Sequence, residues 1–346
     1  MEARDLPAGT RIRQALSGQT VRRAWTAASA QRFLAVLLLL VALFVFFSVT
    51  QERFFTSGNI DALLTSASIL WVVSIGLTFV MITGGFDLSL GSMLALTGIA
   101  LGSFFNDMSL PIGPAILLTL ALGTVLGGSI NGFLIGRIGL SFLVVTLGTL
   151  ILFQGALNLW SDTKTEQVIS PFLDSLAFDD LLGVPIPVWI MVGVLLVALY
   201  VQRSTYFGRD MYAVGGSPEA ARLSGIKVAR TIIAVYAIAG TLAALGGVLQ
   251  VARIGAASPL VGEALIFDAA AAVLLGGTSF AGGVGGVGGT AIGVLFLATL
   301  QNGLSVSGVE SFWQQIITGA ILIVAVLLDK VQREGWSSLR RPGGAP

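Results

Sequence analysis

Between Asp61 and Asp87 the chain reads ALLTSASILWVVSIGLTFVMITGGF (residues 62–86), 25 residues without a charge. A bilayer core is crossed by about 20 mostly apolar residues wound as a helix. The run therefore reads as one membrane-spanning helix, closed by the Gly84-Gly85 pair just before Asp87. Seven more uncharged runs each fit one helix: Phe33–Gln51, Leu88–Asn106, Met108–Gly136, Ile138–Ser161, Leu181–Gln202, Thr231–Ala252 and Ser311–Leu328. A further run, Ala269–Val309, is too long for one helix, and its glycine cluster from Gly276 to Gly289 should break it into two. The sequence thus predicts an all-α polytopic membrane protein of about ten transmembrane helices.

Charge placement orients them. With both termini inside, 16 of the 19 Lys and Arg residues fall on the cytoplasmic side, as the positive-inside rule requires. They cluster in the N-terminal tail (1–32), in the loop 202–230, and in the C-terminal tail (329–346). Outside stand only Arg53, Lys164 and Arg253. The membrane domain is then 33–328, N-in and C-in. The 32 residues before the first span are too long for the basic region of a cleaved signal peptide, so Phe33–Val49 reads as a retained helix.

Composition excludes several chemistries. Of 346 residues, 55% are hydrophobic and 11% charged, with no Cys and no His. Soluble domains carry about 25% charged residues. Without Cys or His there is no disulfide framework, zinc finger or Ser-His-Asp triad. A net charge of +1 gives no nucleic-acid signature. The three lysines (Lys164, Lys227 and Lys330) do not follow glycine, so no Walker motif exists. Any ATP would be bound by a partner, and no cofactor or metal is expected on this chain.

Glycine is abundant, at 44 residues. Membrane helices pack through small residues, and Gly128, Gly132 and Gly136, like Gly285, Gly289 and Gly293, recur every four residues along one predicted helix face. Gly283–Gly288 matches G-x-G-x-x-G, but between apolar helices rather than after a strand, where the motif loses its meaning.

Two loops carry information. The outside loop 162–180 holds five acids against Lys164; it reads either as a docking surface or as a solvated face. In the inside loop, Ser217 is a good N-cap, Pro218 falls at the first helical position, and Glu219 suits the helix dipole. Ala220, Ala221 and Leu223 are good helix formers, and Gly225 suits a left-handed cap. A two-turn helix is marginal alone, so it either docks on its own membrane domain or is presented to a partner.

These residues resemble a known family. Thr83-Gly84-Gly85-Phe86-Asp87-Leu88-Ser89-Leu90-Gly91-Ser92 is similar to the GG-I-DLS-V-GS signature of ABC sugar permeases of the ribose/xylose/arabinose type. Phe207-Gly208-Arg209, then Gly215-Gly216-Ser217 through Ala220-Ala221 to Ser224-Gly225-Ile226, resembles that family's FGR…GG-N…AA-x-x-SGI segment. Leu275-Gly276-Gly277-Thr278-Ser279, Gly282-Gly283 and Gly289-Thr290 resemble its LGG-x-S…GG…GT region, and Gln301-Asn302-Gly303-Leu304 its N-N-G-L. The matches run in family order from 83 to 304. Phe86, Ser217 and Gln301 depart from the usual residues, which leaves the substrate open.

The resemblance implies a homodimeric bacterial inner-membrane permease embedded in membrane lipid. Its partners would be a cytoplasmic ABC ATPase docked on the inside loop and a periplasmic or lipid-anchored sugar-binding protein. It places Phe207, Gly208, Arg209, Gly215, Gly216, Ser217, Pro218, Glu219, Ala220, Ala221 and Gly225 in the ATPase-coupling loop. It puts Gly84, Gly85, Phe86, Asp87, Ser89, Gln301 and Asn302 beside the translocation path. Asp87 has two readings: it caps the helix starting near Leu88, or it orients a helix break beside the path, since charge at membrane depth is costly. Asn131, Gln301 and Asn302 suit interhelical hydrogen bonds or a wet channel. Glu263 and Asp268 lie near Arg253 along the chain, as an ion pair or a binding-protein contact. The alternatives to a sugar permease are a branched-chain amino acid permease, whose segment lacks the D-L-S core, and a proton- or cation-coupled transporter using Asp87 and Asp268. A membrane enzyme is disfavoured by the missing His and Cys.

Overall fold

The computed structural model describes residues 34–262 and 264–334. The N-terminal tail 1–32, Glu263 and the residues after 334 lie outside the described residues. The rest is almost wholly helical. Seven helices are long and apolar enough to cross a membrane: α2 (Ser57–Ile82), α4 (Ile112–Ile138), α5 (Phe142–Ser161), α7 (Ile186–Ser204), α10 (Val228–Ile254), α12 (Val287–Val306) and α13 (Ser311–Glu334). Three more are apolar but shorter: α1 (Leu34–Thr50), α3 (Leu90–Asn106) and α11 (Leu265–Leu275). The long uncharged run is broken between α11 and α12, at its glycines.

The helices form a core and a shell. Within its most apolar window α2 is 83% buried, whereas the window of α13 is 11% buried. α10 packs on α2, α3 and α4, while α11 and α12 pack on each other and on α2. Exposed leucines, valines and isoleucines on α1, α4, α5, α7 and α13 form the outer wall. So large an apolar surface belongs in lipid or against another subunit. α1 is held by a separate aromatic cluster, in which Phe47 and Phe44 meet Phe54 at 5.5 and 5.4 Å between ring centres.

The α4–α10 contact shows what the spaced glycines do. A Cβ on Gly128 would lie 2.9 Å from the Ala237 Cβ, and one on Gly132 would lie 2.8 Å from the Ile233 Cα. Gly136 fits as tightly against Ala229 of α10. The second half of α4 is wound as π-helix over Leu126–Gly132 and Leu134–Ile138. Such windings re-aim side chains and recur at functional sites. The second glycine series is corrected in part. Gly289 and Gly293 pack α12 against the backbone of Gly276 and Ala272 on α11, but Gly285 precedes the helix and sits at φ +118° in the loop.

The two ends of α10 separate two extramembrane regions. At its C-terminal end β4 (Ala256–Ala257) pairs with β1 (Glu166–Gln167) of the acidic loop. That loop also holds α6 (Pro171–Phe178) and the pair β2 (Asp180–Leu181) with β3 (Val184–Pro185). Asn106 Nδ2 donates to Glu166 Oε1 and to the Gln167 carbonyl, both at 2.9 Å, tying the loop to α3, while its five acids stay exposed. Beside Asp162, the Lys164 ammonium holds that carboxyl below its usual range. At the N-terminal end of α10 stand α8 (Tyr206–Gly216) and α9 (Pro218–Leu223).

Candidate functional site

The α2–α3 turn is set by local rules. After Ile82 the helix ends in a Schellman motif: Gly85 N–H donates to the Val80 carbonyl at 3.1 Å, and Gly84 N–H to the Met81 carbonyl at 3.0 Å. Gly84 takes φ +81°, the left-handed conformation this cap needs. Asp87 follows, fully buried. Its Oδ1 accepts from Ser89 N–H at 2.9 Å and from Ser89 Oγ at 2.6 Å. The helix begins at Leu90, with Ser89 as the capping residue. Asp87 therefore makes a turn onto the cap, two residues before Ser89, rather than capping the helix itself. From the π-wound part of α4, Asn131 Nδ2 donates to Ser89 Oγ at 2.8 Å and to Asp87 Oδ2 at 3.2 Å. Asn131 Oδ1 is buried without a partner. Among the described residues no Lys or Arg pairs with Asp87.

A second turn lies against the first. α11 ends in the same motif, with Thr278 N–H donating to the Val273 carbonyl and Gly277 N–H to the Leu274 carbonyl. Its 11 residues rise only about 16 Å, so non-helical chain over 276–286 completes the distance to α12. Broken backbone of this kind is tolerated in a membrane only beside protein or water. Here Phe280 stacks on Phe86, with ring centres 5.2 Å apart and planes at 25°. Gly283 N–H donates to the Ile82 carbonyl at 2.8 Å. A Cβ on Gly282 would fall 2.6 Å from the Gly84 Cα and 2.9 Å from the Gly215 carbonyl oxygen. Three glycine-rich segments therefore meet backbone to backbone: the ends of α2 and α8, and the α11–α12 loop.

α8 and α9 complete this end. Ser217 Oγ accepts from Ala220 N–H at 3.2 Å, capping α9 as predicted. Pro218 sits in its first turn, and Gly225 (φ +86°) closes it. Of the α9 residues only Ala221 is buried; Pro218, Glu219, Ala220, Arg222 and Leu223 are exposed, Leu223 at 82%. Glu219 pairs with Arg222 on the surface. In α8, absent from the sequence reading, Thr205 accepts from Gly208 N–H. Phe207 is half-buried, and Gly208 packs on the end of α7. The Arg209 guanidinium lies 4.3 Å over the Tyr206 ring, which is itself 82% exposed. Gly215 is wedged against Gly283, while Gly216 is exposed.

The residues assigned to the path fall into two groups. Gly84, Gly85, Phe86, Asp87 and Ser89 lie together with the α11–α12 loop. Gln301 and Asn302 lie roughly 20 Å further along α12, given its rise per residue. There Asn302 and Asn59 of α2 exchange amide hydrogen bonds at 2.9 and 3.0 Å. Gln301 reaches Thr318 of α13 at 3.5 Å. Asp268 and Arg253 form no ion pair among the described residues.

Two contacts on the α11–α12 loop lie outside the sequence expectations. Tyr212 Oη accepts from Gln202 Nε2 at 2.5 Å and donates to the Gly285 carbonyl at 2.6 Å. Asp329, placed in a tail by its charge, is buried; it accepts from Ser279 Oγ and Phe280 N–H at 3.3 Å each and pairs with Arg333 at 3.2 Å. Its only sequence signal is a carboxylate adjoining a long apolar run.

The family model described as "Branched-chain amino acid transport system / permease component" matches residues 59–326. The ribose import permease protein of Escherichia coli K12 is 38% identical over 305 residues, covering 86% of this chain and 93% of the relative. The ribose import permease protein of Bacillus subtilis 168 is 38% identical over 294 residues, covering 84% and 90%. The xylose transport system permease protein of Escherichia coli K12 is 34% identical, covering 85% and 90%. No solved structure matches the chain.

Proposed function

From the chain's membership of this transport permease family, we propose that it is the membrane-spanning subunit of an ATP-binding-cassette importer that carries a monosaccharide. The chain is a multi-pass inner-membrane transporter subunit. In this reading ATP is bound and hydrolysed by a separate cytoplasmic subunit. An extracytoplasmic binding protein delivers the sugar, and the permease works as a homodimer with both termini inside.

One observation carries the reading. α9 is a capped two-turn helix that buries one alanine and exposes Leu223 at 82%. It lies at the N-terminal end of α10 in the segment 202–230, which holds five basic residues and in which Tyr206 of α8 is also exposed. A helix this short is marginal unless held, and exposed Leu and Tyr side chains in a basic segment suit a protein partner. The acidic loop at the opposite end is the surface for the binding protein.

The sugar reading rests on the names of the relatives at 34–38% identity, while amino acids appear only in the family description. The test is reconstitution of the chain with the ATPase and binding protein encoded beside it. ATP-dependent uptake of ribose or xylose, but not leucine, is the expected outcome. Deleting Ser217–Gly225 should abolish both ATPase co-purification and uptake. Retention of both would overturn the reading, and uptake by the chain alone under a pH gradient would favour a coupled transporter.

A further inference from the structure

We propose that Tyr212 and Gln202 form a relay that passes movement of the ATPase-docked helices to the glycine loop 276–286 and so to the Phe86–Phe280 pair. The proposal rests on the importer reading, which names α8 and α9 as the docking surface but no contact leading inward.

The geometry singles out these two side chains. Gln202 stands in the last turn of α7 and uses both ends of its amide. Nε2 donates to Tyr212 Oη at 2.5 Å, and Oε1 accepts from Val287 N–H, the first helical residue of α12, at 3.0 Å. Tyr212, half-buried on α8, donates a hydrogen bond from its hydroxyl to the Gly285 carbonyl at 2.6 Å. One hydroxyl and one amide thus join α7, α8, the loop and the start of α12. Burial pushes the Tyr212 phenol above its usual range, so the hydroxyl keeps the proton it donates.

The loop is built to transmit such a pull. Gly277, Gly282, Gly283 and Gly285 all hold positive φ, and within the loop Thr278 Oγ1 accepts from Gly286 N–H, Ser279 Oγ from Ala281 N–H, and the Val284 carbonyl from Ser279 N–H, so it moves as one piece. It is pinned at three other points: Gly283 to the Ile82 carbonyl, Ser279 and Phe280 to Asp329, and Phe280 by stacking on Phe86. The Asp329 contacts come from α13 and fall at the start of the loop, whereas Tyr212 bonds near its end. A shift of α8 therefore bears on Gly285 while Asp329 holds Ser279 and Phe280, so residues 281–284 between them must turn and the load falls on the Phe280 ring stacked on Phe86. Gly215, at the end of α8, touches Gly283 and Ile82 directly. That wedge gives α8 a steric contact with the loop but only push; the hydrogen bonds add pull.

Tyr212→Phe removes one oxygen and keeps the ring. In the reconstituted complex, sugar uptake per ATP hydrolysed should fall by about tenfold, the size of an ordinary coupling free energy. Gln202→Leu should do the same. A merely structural role would lower the amount of assembled complex and leave that ratio unchanged. Because the chain has no native cysteine, a spin label on Ala281→Cys reports the exposed part of the loop alone. On trapping the ATPase with ATP and vanadate, its spectrum should change in the otherwise native chain and stay fixed with Tyr212→Phe. An unchanged uptake ratio in both variants, or an Ala281 label that responds equally with and without the Tyr212 hydroxyl, overturns the relay. Failure of the native chain to bind any ATPase instead overturns the importer reading.

Discussion

The turn after α2 and the turn after α11 begin alike and are held differently. Each opens with a Gly-Gly pair in a Schellman cap, and each presents a phenylalanine to the other. The first turn is short and carries its own anchor: Asp87 binds Ser89 in sequence and Asn131 from a close-packed neighbour, all buried. The second is longer, has four glycines at positive φ, and takes its polar anchors from Tyr212, Gln202, Asp329 and the Ile82 carbonyl. A turn anchored mainly by its own residues stays put when its neighbours move, whereas one anchored from four other elements follows them. The pair therefore reads as a fixed seat and a flap that closes on it.

The largest effect should come from preventing the two turns from meeting. Gly282→Val puts a branched side chain at φ +85°, where its Cβ would sit 2.6 Å from the Gly84 Cα. Left-handed strain alone costs about 1–3 kcal/mol, and the clash adds to it. A drop in the melting temperature of the detergent-solubilised chain, with loss of uptake, is expected. Gly288→Ala, which meets nothing within 4 Å, should match the native chain, and equal behaviour of the two variants would break the comparison.

A middle-sized effect should follow from loosening only the flap. Asp329→Ala leaves Ser279 Oγ and Phe280 N–H without their acceptor, a loss of about 1–3 kcal/mol for groups this buried. Uptake should fall while the binding of the ATPase to α9 persists, measured by co-purification. The smallest effect should come from the seat. Asp87→Asn retains an oxygen for Ser89 N–H, so about 1 kcal/mol or less is lost, and most transport should remain. Loss of transport in a normally assembled Asp87→Asn complex would show that the seat has a second role beside the path.

The parts legible in sequence are those fixed by neighbours along the chain. The α9 cap could be read from Ser217, Pro218, Glu219 and Gly225 because each acts within one turn. The α4–α10 contact could be read from Gly128, Gly132 and Gly136 because a four-residue spacing is a helix face. α8 was missed because it ends in Gly215-Gly216 and lies in a loop rich in charge. Gly285 was assigned to a helix because its spacing fits one, although the helix starts two residues later. Asp329 reads as tail and Tyr212 as loop, since nothing near them in sequence reveals partners 49 to 73 residues away.

The sequence by itself determined that the chain is a bundle of apolar helices, roughly how many there are, and that it carries no Walker motif. Those follow from run length, charge scarcity and absent residues, which need no partner in space. Tertiary structure alone decided that the two glycine turns face each other, that Gln301 and Asn302 stand apart from Asp87, and that Asp329 and Tyr212 hold the second turn. In a chain with so little charge, each polar group must find its partner across helices, and only the packing says which one it finds.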